Sequence, residues 1–163
     1  MVKVEPLTAE AFKVFGDVVS AGLGLGVSAN QGTAKRFDWS TALVNDRPNA
    51  KANVSVFRSV ARSLPFSVEL LEHHPCSTQA FIPMVCSRYL VVVAPGRDEG
   101  PDVTGLRAFL CLPGQGINYR VGVWHHPIIA LDSDADFVML AFEDGTARDC
   151  VVKKLGAPIR VEP

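Results

Sequence analysis

All four histidines of the chain lie in two doublets, Glu72-His73-His74-Pro75 and Trp124-His125-His126-Pro127. Successive side chains of an extended chain point to opposite faces, so at most one histidine of each doublet can look into a given cavity. Two imidazoles can therefore converge, one from each doublet. Such a pair suits proton transfer near neutrality or metal binding. The competing reading makes each ring a core or interface group whose nitrogens are satisfied within the protein. Arginine supplies the second kind of chemistry. In Asn53–Val60, residues Val54, Val56, Arg58 and Val60 alternate with Asn53, Ser55, Phe57 and Ser59, a period of two that predicts a strand with Arg58 on its apolar, core-facing side. An arginine there stays charged, so it meets either a carboxylate of the protein or one on a ligand. Arg36 follows Asn30-Gln31-Gly32 in a polar turn, the kind of loop that closes over an anion.

These groups need a scaffold, and the rest of the chain limits which. With 163 residues the expectation is a single domain spanning 1–163, large enough to bury about two-thirds of its unfolded surface. A net charge of −1 and no run of Lys or Arg beyond two residues leave no electrostatic footprint for nucleic acid or an anionic membrane. No stretch reaches the roughly 18 apolar residues of a membrane span. The expected partner is a small molecule, and the expected compartment is the cytoplasm. Cys76, Cys86, Cys111 and Cys150 show no Cys-x-x-Cys spacing, which fits free thiols in a reducing compartment.

Thr8 can cap a short helix, Ala9–Phe15, that Gly16 ends. Gly22–Gly26 lacks the strand-to-helix context and the Lys-Ser/Thr ending of a phosphate loop, so it reads as a plain loop. Short apolar segments follow: Val68–Leu71, Gln79–Met84, Tyr89–Ala94, Leu106–Leu112, Ile117–Val123, Ile128–Leu131 and Phe137–Phe142. Pro, Gly and Asp separate them, which predicts an all-β antiparallel sandwich or barrel. Gln79–Met84, Leu106–Leu112 and Ile117–Val123 are its expected central strands. Pro95–Gly105 is a connector with one helical turn near Val103–Leu106, and the tail from Val152 is a last strand or an arm.

Two histidine doublets beside strands in one all-β domain resemble the cupin superfamily. Cupins place a glutamate four or five residues after their first histidine pair, where this chain has Gln79. Tyr119, after Gly116-Ile117-Asn118, stands where their third histidine falls. Both changes weaken a metal site, so no cofactor is strictly required. A divalent metal, if held, would sit on His74, Gln79 and His126. A finer resemblance lies in Leu71-Glu-His-His-Pro-Cys-Ser-Thr-Gln-Ala-Phe-Ile-Pro-Met84 and Gly116-Ile-Asn-Tyr-Arg-Val-Gly-Val-Trp-His-His-Pro127. These blocks are similar to the signature blocks of the ureidoglycolate lyase family, also called ureidoglycolate hydrolases. Pro6-Leu-Thr, Phe15-Gly-Asp-Val, Asn30-x-Gly32, Arg36, Arg58 and Leu106-Arg-Ala-Phe extend the match over nearly the whole chain. Departures are His73, where arginine is a familiar companion, and Gln31, where another amide can stand. The resemblance implies a homodimer with a cupin-like, jelly-roll type β-barrel that releases urea and glyoxylate from (S)-ureidoglycolate in allantoin and purine catabolism.

That reaction needs a base for the substrate hydroxyl, an acid for the departing nitrogen and a cation for the carboxylate. His74 with His125 or His126 would serve as base and acid, in an order the sequence leaves open. Arg58 and Arg36 would hold the carboxylate, and Asn30, Gln79 and Tyr119 the ureido group. Rival readings are a metal-dependent cupin hydrolase or oxygenase acting on a small carboxylic acid, and a non-catalytic cupin that binds such an acid.

Overall fold

The computed structural model describes residues 1–38 and 40–163. In chain order the strands are β1 (Val2–Pro6), β2 (Gly16–Val19), β3 (Val27–Ala29), β4 (Ala34–Arg36), β5 (Lys51–Ser59), β6 (Phe66–His73), β7 (Gln79–Val85) and β8 (Arg88–Ala94). There follow β9 (Gly96–Arg97), β10 (Gly100–Pro101), β11 (Arg107–Cys111), β12 (Gly116–Tyr119), β13 (Trp124–His125), β14 (Ile129–Leu131), β15 (Ala135–Glu143) and β16 (Val151–Glu162). The helix α1 is confined to Ala9–Phe12, with the Thr8 side chain accepting from the Ala11 N–H as its cap. Gly16 already belongs to β2, so the helix is one turn shorter than its sequence pattern suggested.

One sheet has the order β11-β1-β16-β6-β13-β8-β14, and β11 also pairs with β8. That second pairing closes β1, β16, β6, β13, β8 and β11 into a ring. A five-stranded sheet, β2-β12-β7-β15-β5, packs against it. The chain thus forms the closed, nearly all-β barrel expected of it. The pairings of the named strands are antiparallel except at β1, which runs parallel to both β11 and β16, and an isolated bridge between Arg62 and Leu131 is also parallel. This exception lets the chain start close the ring.

Two apolar clusters account for the strand sequences. Val68, Leu71, Leu90, Val92, Ala94, Ala108, Trp124 and Val161 come only from the first sheet. Tyr89, Val91, Val93, Phe109 and Cys111 of that sheet meet Phe81, Ile117, Tyr119, Phe137 and Met139 of the other, with Phe12 of α1 completing the cluster. β8 supplies alternate residues to each cluster, which is why Tyr-Leu-Val-Val-Val-Ala is apolar without a break. Phe12 sits edge-on to Phe109 at 5.5 Å between centroids, a favourable aromatic geometry that anchors the helix.

β5 corrects an expectation. It is the outer strand of its sheet, and Val54, Val56 and Val60 are 65, 62 and 70% exposed. The inward side is the other one, where Phe57 packs edge-on against Phe81. A period of two marks two faces but does not say which is covered. Ile117–Val123 also differs: β12 stops at Tyr119, and Arg120–Val123 is a turn in which the Val123 N–H bonds the Arg120 carbonyl.

Candidate active site

Strand alternation builds the site from both doublets. In β6, Leu71 enters the first cluster, so Glu72 points to the opposite side, into the space between the sheets. His73 returns to the Leu71 side and stacks on Trp124, with centroids 4.1 Å apart. His74 then shares the direction of Glu72. In β13 the register places His125 opposite Glu72, and because Trp124 belongs to the first cluster, His125 also faces the space between the sheets. The turn before β13 is tied to this corner by a hydrogen bond from the Gly122 N–H to the His74 carbonyl, 2.9 Å. On the opposing sheet, Tyr119 of β12 lies across from Gln79 of β7. Both share the inward side with the neighbouring pair Ile117 and Phe81.

The rings are arranged in a stack. Tyr119 lies on His125 with centroids 4.0 Å apart and 11° between planes, and His74 follows at 5.4 Å and 22°. The Nδ1 atom of His74 is 2.6 Å from the Asp149 carbonyl oxygen, and that of His125 is 2.9 Å from the Val123 carbonyl oxygen. A carbonyl only accepts, so in each ring Nδ1 carries the proton and donates it. Nε2 of both histidines is thereby aimed into the site. A Glu72 carboxylate oxygen lies 3.6 Å from Nε2 of His125. Nε2 of His74, Nε2 of His125, Oε1 of Gln79 and the Tyr119 hydroxyl are all buried without a hydrogen-bond partner in the protein. Buried polar atoms are nearly always satisfied, so a set of four in one place marks where a ligand or water belongs.

Charge follows from position. Burial first, and then the charge of His125, lower the pKa of His74 and favour its neutral form. Burial alone would raise Glu72, but the His125 ring 3.6 Å away, and then His74, bring it below the ordinary glutamate value. Glu72 is therefore an anion at neutral pH. Burial holds the Tyr119 phenol well above its ordinary value, so it remains a donor. Cys150, whose Sγ is 3.7 Å from Glu72, is pushed up to about 11 by burial and then by that carboxylate, and stays a thiol.

Glu72, His74 and His125 also fit a metal, since one ligand atom from each lies within 4.8 Å of the others. Two imidazole nitrogens and a carboxylate are a suitable set for a divalent ion. This group differs from the one the sequence suggested, with Glu72 and His125 in place of Gln79 and His126. Glu72, on β6, stands two residues before His74, which follows the end of that strand. The period of two that separated the histidines would have placed it beside His74.

Other expected residues lie elsewhere. His126 packs edge-on against Phe66, bonds its Nδ1 to the Pro127 carbonyl and lines an outer groove with Arg62 and Glu69. Its position next to His125 on an extended chain turns it away from the site. Arg58 is on the outer face with its side chain 77% exposed, gripping Asp136 through two hydrogen bonds of 2.8 Å. The protein carboxylate, rather than a ligand's, is its partner. Arg36 pairs with Asp38 on the exposed β3–β4 hairpin, and Asn30 begins the left-handed turn of that hairpin, with φ of 50°. Among the described residues, no hydrogen bond or ion pair links Asn30 or Arg36 to the histidines.

Fold and side chains together describe an all-β barrel with a buried polar site whose groups suit proton transfer or the holding of a cation. A family model described as ureidoglycolate lyase matches residues 1–162. A ureidoglycolate lyase of Burkholderia cepacia is 43% identical over 141 residues, 86% of this chain and 78% of that one. One of Pseudomonas fluorescens is 40% identical over 148 residues, 90% of this chain and 87% of its own length. Solved structures with some likeness include a dTDP sugar isomerase of Desulfovibrio desulfuricans G20, with a TM-score of 0.49 and 15% identity, covering 78% of each chain. A 3,4-ketoisomerase of Helicobacter canadensis gives 0.46 and 12%, covering 82% of this chain and 87% of the other. The chain belongs to the ureidoglycolate lyase family, whose members are lyases acting on ureidoglycolate.

Proposed function

We propose that the stack of His74, His125 and Tyr119 carries out the elimination of urea from (S)-ureidoglycolate. The single observation behind this reading is the group of four unpartnered buried atoms: His74 Nε2, His125 Nε2, Gln79 Oε1 and the Tyr119 hydroxyl. Ureidoglycolate carries a hydroxyl, a carboxylate and a urea nitrogen on one carbon. In the elimination the hydroxyl O–H breaks as the carbonyl forms, the carbon–nitrogen bond breaks, and the nitrogen gains a proton. Neutral His74 takes the hydroxyl proton at Nε2. His125, whose Nε2 lies 3.6 Å from the Glu72 carboxylate, delivers a proton from that nitrogen to the leaving nitrogen. Gln79 Oε1 accepts from the ureido N–H groups, and the Tyr119 hydroxyl donates to the ureido carbonyl. Arg148 is the cation for the substrate carboxylate: it adjoins Asp149, its Nη2 lies 3.0 Å from Sγ of Cys76, two residues past His74, and it has no carboxylate partner among the described residues.

If a divalent cation is resident, Glu72, His74 and His125 would hold it, and it would supply Lewis-acid polarisation of a substrate oxygen. The test of the reaction is incubation with racemic ureidoglycolate while urea, glyoxylate and ammonia are followed. Urea with glyoxylate is expected, consuming one enantiomer. Ammonia would make the protein a hydrolase, and binding without turnover would make it a sensor. Metal analysis and chelation in the same preparation address the cation.

Two further features belong to this reading. The exposed valine face of the edge strand β5 fits a second copy of the chain in a homodimer. The four cysteines are free, which suits the reducing cytoplasm. Among the described residues, no helix is long and apolar enough to cross a membrane.

A further inference from the structure

Arg47 is a charged side chain with only 6% of its surface exposed, remote in sequence from both doublets and with no part in the chemistry above. Its Nη1 lies 2.7 Å from Asp144 and 2.8 Å from Asp149, and its Nη2 donates to the Phe142 carbonyl at 2.9 Å. The segment between β15 and β16 is wound around this guanidinium. Asp149 closes the winding by accepting the N–H groups of Asp144 and Gly145 at 3.0 and 2.7 Å. Arg47 is itself pinned beside the histidine corner, since the Asp46 N–H bonds the Cys76 carbonyl and Asn45 bridges to Ser77. The output of the arrangement is one atom. The backbone carbonyl of Asp149, just ahead of the point where Val151 pairs with His73, receives the Nδ1 proton of His74 at 2.6 Å.

We propose that Arg47 is a positioning residue: through Asp149 it aims the carbonyl that fixes the His74 tautomer and so directs the Nε2 lone pair into the site. A buried ion pair adds little stability over a well-packed apolar group of the same volume. It does fix geometry, and the carbonyl partner of a histidine decides which nitrogen bears the proton. In water the imidazole side chain prefers the proton on Nε2, the tautomer that would leave His74 with no lone pair facing the substrate. The arginine-bound loop holds the opposite one. The inference rests on His74 being the base.

The test uses the full chain labelled with 15N-histidine. Its histidine signals are assigned by single His→Gln substitutions, and imidazole nitrogen spectra are recorded beside steady-state kinetics. The expected result for the parent protein is the Nδ1–H tautomer at His74. Arg47→Met and Asp149→Asn should admit the Nε2–H tautomer and lower kcat roughly 10- to 100-fold, the usual effect of losing a group that orients a site histidine, with KM little changed. Should Arg47→Met fail to fold, Arg47→Lys keeps the charge but loses the fork that serves three acceptors. Its spectrum then decides the point. Arg88→Met, which removes an exposed partner of Asp132, should move neither readout. An unchanged His74 tautomer with parental kcat per folded molecule in the Arg47 and Asp149 variants overturns the proposal. If the parent protein does not turn over ureidoglycolate, the proposed reaction fails, while the nitrogen spectra still decide what Arg47 does.

Discussion

His73, His74 and His126 all have pKa values below the ordinary 6.5, with burial the leading cause in each. A histidine whose folded pKa is depressed contributes stability that is fully present above the unfolded value and is lost as pH falls through the folded one. The melting temperature should therefore hold above pH 6.5 and decline as the pH falls below it. A Tm that rises on acidification from that point would contradict this placement of the rings. The acid limb of kcat/KM should likewise lie below the range of a free imidazole, and His74→Gln should remove it together with most of the activity. The arginines separate in the same way. Arg58→Lys, on the outer face, should leave kcat/KM close to parental, whereas Arg148→Met should raise KM for ureidoglycolate with the fold intact. A severe loss in Arg58→Lys would return that residue to the site. The doublets could be read from sequence because strand alternation is local geometry. Arg58 was misplaced and Arg47 went unnoticed because their partners, Asp136 and Asp144, lie far along the chain, where no local period reaches.

At the level of elements, the site depends on how β12 hands the chain to β13. Ile117–Val123 reads as one strand because its apolar residues are continuous, yet the chain turns after Tyr119 so that Tyr119 and His125 can stack. Gly122 makes the turn with φ of 77° while its N–H holds the His74 carbonyl. A side chain at such a φ costs roughly 1–2 kcal/mol. Gly122→Ala should show that loss in urea unfolding and also reduce kcat, because the turn and His74 share a hydrogen bond. Full stability together with full activity would mean that the turn relaxes without strain. The apolar runs β7, β8, β11 and β14 were legible because burial on two faces leaves an unbroken signature. The parallel pairing of β1 was not, since five residues beside a chain end carry no mark of their partner.

Among the described residues, β5 is a long edge strand with apolar side chains in solvent. Val54 and Val56 stand in a row on it and Val60 lies just past its end, with Arg58 and its partner Asp136 set among them. An isolated chain would carry this as an aggregation hazard. A twofold-related copy would cover it with the same row, each molecule offering an identical patch. The Arg58–Asp136 pair then gains a role that the substrate does not give it, as a polar group that fixes the register of two valine rows. Glu72, His74, Gln79, Tyr119 and His125 all come from one chain and face the interior, so separating the copies should not dismantle the site. The expected outcome in sedimentation at micromolar concentration is a dimer for the parent protein and a monomer for Val54→Asp/Val56→Asp, with kcat retained. A parental monomer would remove the interface. A dimer that survives both aspartates, whose charges would face each other across the twofold axis, would move it to another face of the barrel.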